Sequence, residues 1–520
     1  MKISNKLIFG SIVFQLFIST IHAQSGTLDL SFDDDGRVVT SIGTFEDVAR
    51  AVKVQNDGKI VVAGFSYGAS DFDFVLARYN PNGSIDPSFG TNGIVTTAIQ
   101  SADDKAYCLA IQDDGKIIAA GYSYGGTKDW VAIARYNTDG SLDQSFNQTG
   151  MVTTFLGINT DYANAIALQD DGKIVLTGGT MNENTFNLFA IRYNADGTLD
   201  SSFDGDGIAI IDLAPNQNDA GNDIVIQDDG KIVIAGYTNT SNQTDFALVR
   251  LNSNGSLDNT FDTDGIVSHG IVGTFNENAN ALALQNDGKL VVAGSSNNTF
   301  YDFIITRYNT DGSFDNGFGA DGITVTDLGT STDFGAPLDL VIQNDNKIVA
   351  AGYQNMGIHL NFSVIRYNAD GNIDNSFGAN GIVTTDFNGT GDDQGLAVAL
   401  QNDEKILVAG TNYDNQGKIA IARYNNTLVT EITEVNDLDY EEIIISPNPS
   451  QNIARIKAKS TLRNAQMHIV DNNGQLVKQF EKINGNSVTI DIHDLPTGIY
   501  FVRILEENKN FETHKMVISN

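Results

Sequence analysis

A block of 57 or 58 residues recurs seven times along this chain of 520 residues and constrains its fold more than any other feature. Each copy begins with a Gln-Asn/Asp-Asp phrase, and an Arg-Tyr-Asn phrase follows 22 or 23 residues later, with one Leu in place of the Tyr. The residues that begin the copies are Gln55, Gln112, Gln169, Gln227, Gln285, Gln343 and Gln401. A fixed period of this length indicates a repeat architecture, in which a residue present in every copy is expected to serve the scaffold.

Each copy contains four short β-strand signals. In the third copy, apolar or alternating runs begin near Ala163, Lys173, Leu188 and Gly207. Asp-Gly and Asn-Gly pairs, which favour tight turns, punctuate the copies. No run keeps helical spacing for more than a turn. Because four short antiparallel strands per repeat are typical of a propeller blade, the sequence predicts an all-β chain with a seven-bladed β-propeller over residues 25–425.

The first strand of each copy shows a pattern of large and small side chains. In the first copy the large residues Val52 and Val54 precede Gln55, and the small residues Ala49 and Ala51 come before them. We interpret this as the innermost strand, with one face in the core between blades and the other in the crowded space near the axis. Asp223 and Asp339 occupy small-residue positions in two copies. They are therefore predicted to line the central channel as ligand-binding residues.

The phase of the repeat predicts how the ring closes. The Leu-Asp-Leu-Ser-Phe phrase at 28–32 precedes the first full copy, whereas the seventh copy ends after Tyr424 without a phrase of this kind. The N-terminal segment is thus expected to supply the outer strand that the last blade lacks. This exchange closes the ring and leaves no free sheet edge.

The copies resemble the delta-60 repeat of exported bacterial proteins. The matching phrases are those of residues 167–179 and 190–203 in the third copy, with the Asp-Gly-Ile phrase that follows. The resemblance covers roughly residues 26–425. It implies a propeller and supplies no catalytic residues, because the family carries no known activity.

A second β-rich region begins at residue 443, after an acidic linker at 426–442. Alternating strands joined by Asn-Gly and Pro-Thr-Gly turns predict a small immunoglobulin-like β-sandwich. The region resembles the type A C-terminal sorting domain of the type IX secretion system of Bacteroidetes-type bacteria. The residues that carry the resemblance include Pro447, Asn448, Pro449, Gly474, Leu495, Gly498 and Tyr500. It implies that the secretion machinery recognises residues 443–520 and delivers the protein to the cell surface or the medium.

Residues 1–24 have the features of a secretory signal peptide, with Lys2 and Lys6 before an apolar run at 7–18. The chain is therefore expected to pass through the periplasm. No other segment approaches 18 consecutive apolar residues, so no transmembrane segment is predicted in the mature form. Cys108 is the only cysteine, which excludes an intramolecular disulfide.

The charge balance and the histidine count restrict the function. The formal net charge is −34 and the isoelectric point about 4.2, which argues against nucleic acid as a partner. Only two of the six histidines, His269 and His359, lie in the propeller, and they lie in different copies. A histidine-based metal site or a Ser-His-Asp triad is therefore not expected, and no catalytic residue is assigned.

Acidic turns in the N-terminal segment and in two of the copies share the start of a calcium-binding loop. Their carboxylates belong to Asp33, Asp35, Asp204, Asp206, Asp262 and Asp264. The turns lack the downstream Glu of a full loop, and other copies have different residues there. Two interpretations stay open: a calcium site, which would lose thermal stability on chelation, and simple turn chemistry. No other cofactor is predicted.

Recognition is expected where the copies differ, in the segments after the second and fourth strands, which emerge on one face of a propeller. Trp130, the only tryptophan, lies in such a segment at a position that is mostly polar in other copies. It is predicted either to stack on a flat ligand or to pack on a neighbouring loop. The leading hypothesis is a non-catalytic module that binds protein or glycan. The alternatives are a carboxylate-based polysaccharide hydrolase or lyase and a purely structural surface protein.

The repeated Arg is predicted to pair with the repeated Asp of the same copy. Arg78 precedes Asp86 by eight residues, and the same spacing joins Arg192 to Asp200. An Arg fork can bridge a carboxylate across the connection between two strands. A pair present in every copy is expected to stabilise the blade rather than to bind a ligand.

Overall fold

The computed structural model describes residues 25–426 and 443–518 with short gaps, at 183, 241–242, 272–274, 297–301, 329–334, 388, 447–449, 451–452, 471–475, 494, 507–508 and 511–513. The predicted signal peptide, all but the first residue of the predicted linker, and Pro447, Asn448, Pro449 and Gly474 lie outside the described residues. The chain divides into two compact units, one ending at Val429 and one beginning at Thr430. In the described ranges the regular structure is β, and no helix there is long and apolar enough to span a membrane.

The described residues of the first unit form 28 strands. They are β1 (Arg37–Thr40), β2 (Asp47–Val54), β3 (Ile60–Tyr67), β4 (Phe72–Tyr79), β5 (Ile94–Thr97), β6 (Asp104–Ile111), β7 (Ile117–Tyr124), β8 (Asp129–Tyr136), β9 (Met151–Thr154), β10 (Asp161–Leu168), β11 (Ile174–Asn182), β12 (Thr185–Tyr193), β13 (Ile208–Ile211), β14 (Asp219–Ile226), β15 (Ile232–Thr240), β16 (Gln243–Leu251), β17 (Ile266–His269), β18 (Glu277–Leu284), β19 (Leu290–Ser296), β20 (Asp302–Tyr308), β21 (Ile323–Thr326), β22 (Gly335–Ile342), β23 (Ile348–Asn355), β24 (Leu360–Tyr367), β25 (Ile382–Thr385), β26 (Asp393–Leu400), β27 (Ile406–Asn412) and β28 (Lys418–Tyr424).

These strands form seven antiparallel sheets of four strands each, which are the blades of the propeller. Blade 1 is β2–β5, and the next five blades follow with four strands each, up to blade 6 (β22–β25). Seven clusters of buried apolar side chains fill the spaces between neighbouring blades. The prediction of an all-β, seven-bladed propeller is confirmed.

Blade 7 is completed by the N-terminal strand. Its order is β26-β27-β28-β1, and β1 pairs antiparallel with β28 from Arg37 opposite Ala422 to Thr40 opposite Ile419. Phe32, fully buried, joins the cluster between blades 7 and 1. The predicted closure by strand exchange is therefore confirmed, and it joins the two ends of the repeat array without a covalent link.

Each innermost strand contains a β-bulge. In blade 1, Ala49 pairs with Gly64 and Ala51 with Ala63, so that Arg50 has no partner on the second strand. A Cβ on Gly64 would collide with the Val48 carbonyl oxygen, which is why this position is glycine. The same interruption occurs in all seven blades.

The bulge also corrects one interpretation of the sequence. We expected Ala49 and Ala51 to share one face of the innermost strand and Val52 and Val54 to share the other. The extra residue shifts the alternation, so Ala49 lies in the same cluster as Val52 and Val54, whereas Ala51 packs in the next cluster. Both faces of the strand therefore contribute to the cores between blades, and the bulged residue faces the axis.

The second unit is a single hydrogen-bonded sheet of six strands. They are β29 (Ile443–Ser446), β30 (Ile453–Val470), β31 (Leu476–Asp491), β32 (Gly498–Glu506), β33 (Lys509–Asn510) and β34 (His514–Ile518). The first half of β30 pairs with β29, and its second half pairs with β32. Side chains from both halves, such as Ile456 and Met467, meet in one buried cluster, so the sheet folds over itself. The two layers expected of a sandwich are thus two parts of one sheet.

Three residues of the predicted sorting motif lie within the described part of this unit. Leu495 is buried, and its amide donates to the Ile492 carbonyl over 3.0 Å. Gly498 begins β32 opposite Ile518. The Tyr500 hydroxyl donates to the Pro496 carbonyl over 2.9 Å. These contacts fix the turn that precedes β32.

Candidate functional site

The repeated Arg and Asp side chains form a ring on the face of the propeller that carries the Asp-Gly turns. Arg78 Nε donates to Asp86 Oδ2 over 2.8 Å, and both side chains are almost completely buried. The guanidinium also lies 4.4 Å from the centre of the Phe89 ring. Burial raises the pKa of Asp86, but the hydrogen bonds from Ser88 and the charge of Arg78 outweigh it and lower this pKa to about 2. The carboxylate is therefore held ionised as part of the scaffold.

Each Arg of this ring also reaches the next blade, which the sequence did not suggest. The Arg78 guanidinium donates to the carbonyl of Thr138, in the turn after the third strand of blade 2, over 2.6 Å. Equivalent bonds join Arg135 to Ala195, Arg192 to Ser253, Arg250 to Thr310, Arg307 to Ala369, Arg366 to Asn426 and Arg423 to Pro81. The last pair, Arg423 with Asp29 at 2.8 Å, closes the ring through the N-terminal segment. The pairs thus stabilise contacts between blades as well as within them.

The connections after the second and fourth strands of each blade lie on the opposite face, which we call the variable face. A buried acidic residue at the start of six innermost strands holds the preceding connection by accepting backbone N–H groups. Asp47, for example, accepts from Ile42 over 2.7 Å and from Gly43 over 2.9 Å, and the Ser66 hydroxyl donates to it. The variable face is therefore a set of different side chains on rigid supports.

Exposed aromatic side chains occur on the variable face of blades 1 to 3. Phe45 is 68% exposed, Phe155 47% and Tyr124 36%. Trp130, half-buried in β8, lies beside Phe155 with ring centres 6.4 Å apart. The two interpretations of Trp130 are not exclusive, because its ring contacts the connection between blades 2 and 3 and remains partly accessible.

A cavity of about 400 Å³ opens on the variable face between blades 1 and 2. It is lined by Ser70, Asp71, Ala102, Asp103, Tyr122, Tyr124 and Asp129. Burial, followed by the charges of Asp161 and Asp103, raises the pKa of Asp129, although a hydrogen bond from Thr160 opposes this. The cavity combines tyrosine rings with three carboxyl groups. These residues come from two connections and two strands, and no local pattern in the sequence indicates that they meet.

The central channel contains a second cavity, of about 270 Å³. One bulged side chain from each blade projects into it at the same level: Arg50, Tyr107, Asn164, Asn222, Asn280, Leu338 and Leu396. All seven lie five residues before the repeated Gln. This position was missed because it lies between the positions of large and small residues. Its variation among otherwise similar copies was the available signal.

Asp223 and Asp339 also line this cavity. Asp223 accepts the amide of Ile224 over 2.8 Å and that of Leu282, in the next blade, over 2.6 Å. Asp339 makes the same two contacts with Leu340 and Val398, both at 2.8 Å. Burial and the charge of Asp339 raise the pKa of Asp223 to about 7. Both carboxyl groups therefore join neighbouring blades, and their role in ligand binding stays a prediction.

The acidic turns that suggested calcium lie on the face with the Asp-Gly turns. Asp33, Asp204 and Asp262 have φ values of 48°, 47° and 43°, in the left-handed region that turns use. Asp206 and Asp264 each accept a backbone amide two residues later, over 2.9 Å, and Asp35 pairs with Arg37. Within the described residues, no group of three or more His, Cys, Asp or Glu is placed to hold a metal ion. Calcium binding stays a prediction for the chelation experiment.

Two family models match the chain. Seven segments match the model described as a beta-propeller domain of unknown function (DUF5122), at residues 55–89, 112–146, 169–203, 227–261, 285–318, 343–377 and 401–427. Residues 445–519 match the model of the secretion system C-terminal sorting domain. Among curated proteins, none matches the sequence.

Solved structures with a related architecture share little sequence with this chain. PorZ of Porphyromonas gingivalis, a surface component of its type IX secretion system, is 12% identical with a TM-score of 0.38. The match spans 92% of this chain and 61% of PorZ. The polysaccharide lyase Uly1 is 11% identical over 75% of this chain and 92% of its own, with a TM-score of 0.43. The periplasmic gluconolactonase of Pseudomonas aeruginosa is 11% identical over 83% and 98%, with a TM-score of 0.42. Similarity at this level carries no argument about function.

Proposed function

Because the chain is a DUF5122 β-propeller protein with a C-terminal sorting domain, we propose that it is an exported module that binds glycan without catalysis. The sorting domain implies export through the type IX secretion system to the cell surface or the medium. We further propose that residues 1–24 direct the chain to the periplasm and that the sorting domain is removed after export. The propeller is then the part that meets the ligand.

The observation that carries this proposal is the cavity between blades 1 and 2. Tyr124 offers an accessible flat ring, and sugars stack on such rings through their C–H faces. Asp71, Asp103 and Asp129 offer carboxylate oxygens that accept hydrogen bonds from hydroxyl groups. A protein partner would instead be expected to need a larger exposed apolar patch around the same residues.

The charge of the cavity selects among glycans. Three carboxyl groups line it, and the nearby Lys105 is directed to the Phe72 ring, 4.0 Å from its centre. Uronic acids and sulfated sugars would be repelled by this concentration of negative charge. We therefore expect a neutral glycan or one that carries an amino sugar.

A glycan array with the purified full chain tests the proposal, with and without calcium. We expect a neutral or amino-sugar glycan to bind, and Tyr124→Ala to lower its affinity at least about tenfold through loss of stacking. Trp130→Ala should have a smaller effect, because the Trp130 ring lies next to Phe155 and outside the cavity lining. The matched control is Phe45→Ala, since Phe45 is also an exposed aromatic of the variable face but does not line the cavity.

Two results would contradict the proposal. One is a selective hit for sulfated or uronic glycans. The other is a hit that Tyr124→Ala leaves intact. A blank glycan array together with a hit on a protein array would replace glycan by protein as the ligand.

A further inference from the structure

The central channel is a second part of the propeller where the seven blades differ in chemistry. The Arg ring and the bulge glycines are the same in all blades, whereas the bulged positions carry one cation, one phenol, three amides and two leucines. Since the bulge has the same backbone pairing in every blade, the fold does not require these differences. These differences in side chain are therefore candidate determinants of ligand specificity.

The three amides are fixed in orientation. Asn164 donates to the Gly221 carbonyl over 3.0 Å, Asn222 to Ala279 over 2.9 Å, and Asn280 to Pro337 over 2.8 Å. Each bond joins one blade to the next and holds the amide nitrogen at the interface between blades. The Asn222 side-chain oxygen accepts a further hydrogen bond from the Asn164 amide over 3.3 Å. Among the described residues, none donates a hydrogen bond to the side-chain oxygen of Asn164 or Asn280. These oxygens are acceptors placed for hydroxyl groups.

The two cations of the channel are unpaired. Within the described residues, Arg50 and Lys53 donate no hydrogen bond and have no carboxylate within ion-pair distance. The Arg50 guanidinium lies 5.1 Å from the centre of the Tyr107 ring, surrounded by the channel wall but accessible to channel water. Burial lowers the pKa of Arg50, while the phenols of Tyr107 and Tyr413 oppose this. The donors of this guanidinium have no protein partner among the described residues and are accessible from the channel, so they are open to an anion.

The carboxyl groups of the channel do not form an ion pair with Arg50. Asp223 and Asp339 each accept two backbone amides, and each is close enough to Lys53 for its charge to lower their pKa values against the effect of burial. Each of their oxygens already accepts one backbone amide, whereas the five donors of Arg50 have no protein acceptor among the described residues. The unpaired donors of the channel therefore favour an anion as the ligand.

We propose that the central channel binds a small hydroxylated carboxylate, such as a sugar acid, with Arg50 holding the carboxylate and the side-chain oxygens of Asn164 and Asn280 accepting its hydroxyl groups. The planar fork of Arg50 matches a carboxylate in two-point geometry. The cavity of about 270 Å³ fits a single small molecule and not a polysaccharide chain. This site is separate from the cavity on the variable face, and no residue lines both.

Isothermal titration of the full chain with D-gluconate and D-glucuronate tests this proposal at constant ionic strength. D-glucitol, which lacks the carboxylate, and inorganic phosphate, which lacks the carbon-bound hydroxyls, are the comparison ligands. Arg50→Asn introduces the residue that three other blades carry at this position, so the fold is expected to tolerate it. We expect one of the two acids to bind, and Arg50→Asn to raise its Kd at least about tenfold.

A second measurement separates binding from a structural role. Without ligand, the melting temperature of Arg50→Asn should equal or exceed that of the wild type, because the variant removes an unpaired charge. Lys128→Asn, which alters a cation of the variable face outside the channel, should leave the affinity unchanged. Lys53→Ala, which restores the small residue of other blades, is the second channel variant and should also weaken binding.

Four results would overturn the proposal. The first is no binding of either acid, and the second is binding that Arg50→Asn leaves unchanged. The third is equally tight binding of D-glucitol or phosphate, because binding would then not require a carboxylate and carbon-bound hydroxyl groups together. The fourth is a lower melting temperature of ligand-free Arg50→Asn with unchanged affinity, which would make Arg50 a residue of the scaffold.

Discussion

Replacement of Arg192 by Ala removes one member of the Arg ring and tests whether the ring stabilises the propeller. Arg192 donates to Asp200 over 2.7 Å, to Ser202 over 3.1 Å and to the carbonyl of Ser253 in blade 4. Its guanidinium also lies 4.7 Å from the centre of the Phe203 ring. The side chains of Arg192 and Asp200 are 6% and 9% exposed, so the pair is buried.

The expected loss of unfolding free energy follows from the groups that lose their partner in Arg192→Ala. Removal of one partner of a buried ion pair costs about 3–5 kcal/mol of unfolding free energy. Asp200 keeps the amide and hydroxyl of Ser202, at 3.0 and 2.7 Å, which favours the lower end of that range. The Ser253 carbonyl loses its donor, which costs about 1 kcal/mol more. We therefore expect a loss of about 4 kcal/mol, or roughly a thousandfold in the unfolding equilibrium.

Guanidinium titration of the full chain measures this loss, with circular dichroism and the fluorescence of Trp130 as two probes. Coincident transitions would justify a two-state treatment. Lys173→Ala is the matched control, because it removes a second, partly exposed cation that pairs with Asp171 at the surface and lies 3.8 Å from Asp200. It should cost less than about 1 kcal/mol. The double variant with Asp200→Ala should show a coupling energy of at least about 1 kcal/mol. An Arg192→Ala midpoint equal to that of the wild type or of Lys173→Ala would refute the reasoning.

Two further predictions concern the bulge and the channel. Gly236→Ala places a Cβ against a carbonyl of the innermost strand and should cost at least about 3 kcal/mol of unfolding free energy. Gly205 has φ +90° and open space around it, so Gly205→Ala should cost only about 1–2 kcal/mol of backbone strain. Similar guanidinium midpoints for the two variants would contradict this. The pKa of Asp223 is raised to about 7 on folding, so its contribution to stability is present below the unfolded value of about 4 and is lost as the pH rises through 7. Asp223→Asn should therefore flatten the dependence of melting temperature on pH between about 4 and 7, and an unchanged slope would count against it. The carboxyls of Asp86 and Asp143, with pKa lowered to about 2, act with the opposite sign and lose their contribution as the pH falls from about 4 through 2.

Much of the architecture was predictable because the sequence repeats. Seven copies of one pattern predict seven equivalent blades, and the position of Leu28–Phe32 before the first full copy predicts that the N-terminal segment completes the last one. The Arg–Asp pair was predictable within a blade, since both residues flank one connection. The motifs after residue 443 predict the sorting domain in the same way. All of these inferences depend on local sequence or on the position of a motif within the repeat. Neither requires knowledge of the distances between residues in the folded chain.

Only the tertiary structure decided what the blades bring together. The bulge of each innermost strand depends on pairing with the second strand, and it turns Arg50 and Asn164 toward the axis. The cavity on the variable face joins Asp71 and Asp103, from two different connections, with Tyr124 at the end of β7. The bond from Arg78 to Thr138 spans 60 residues and two blades. Contacts across blades depend on how neighbouring sheets pack against each other. In a periodic sequence, only the small differences between copies carry information about that packing.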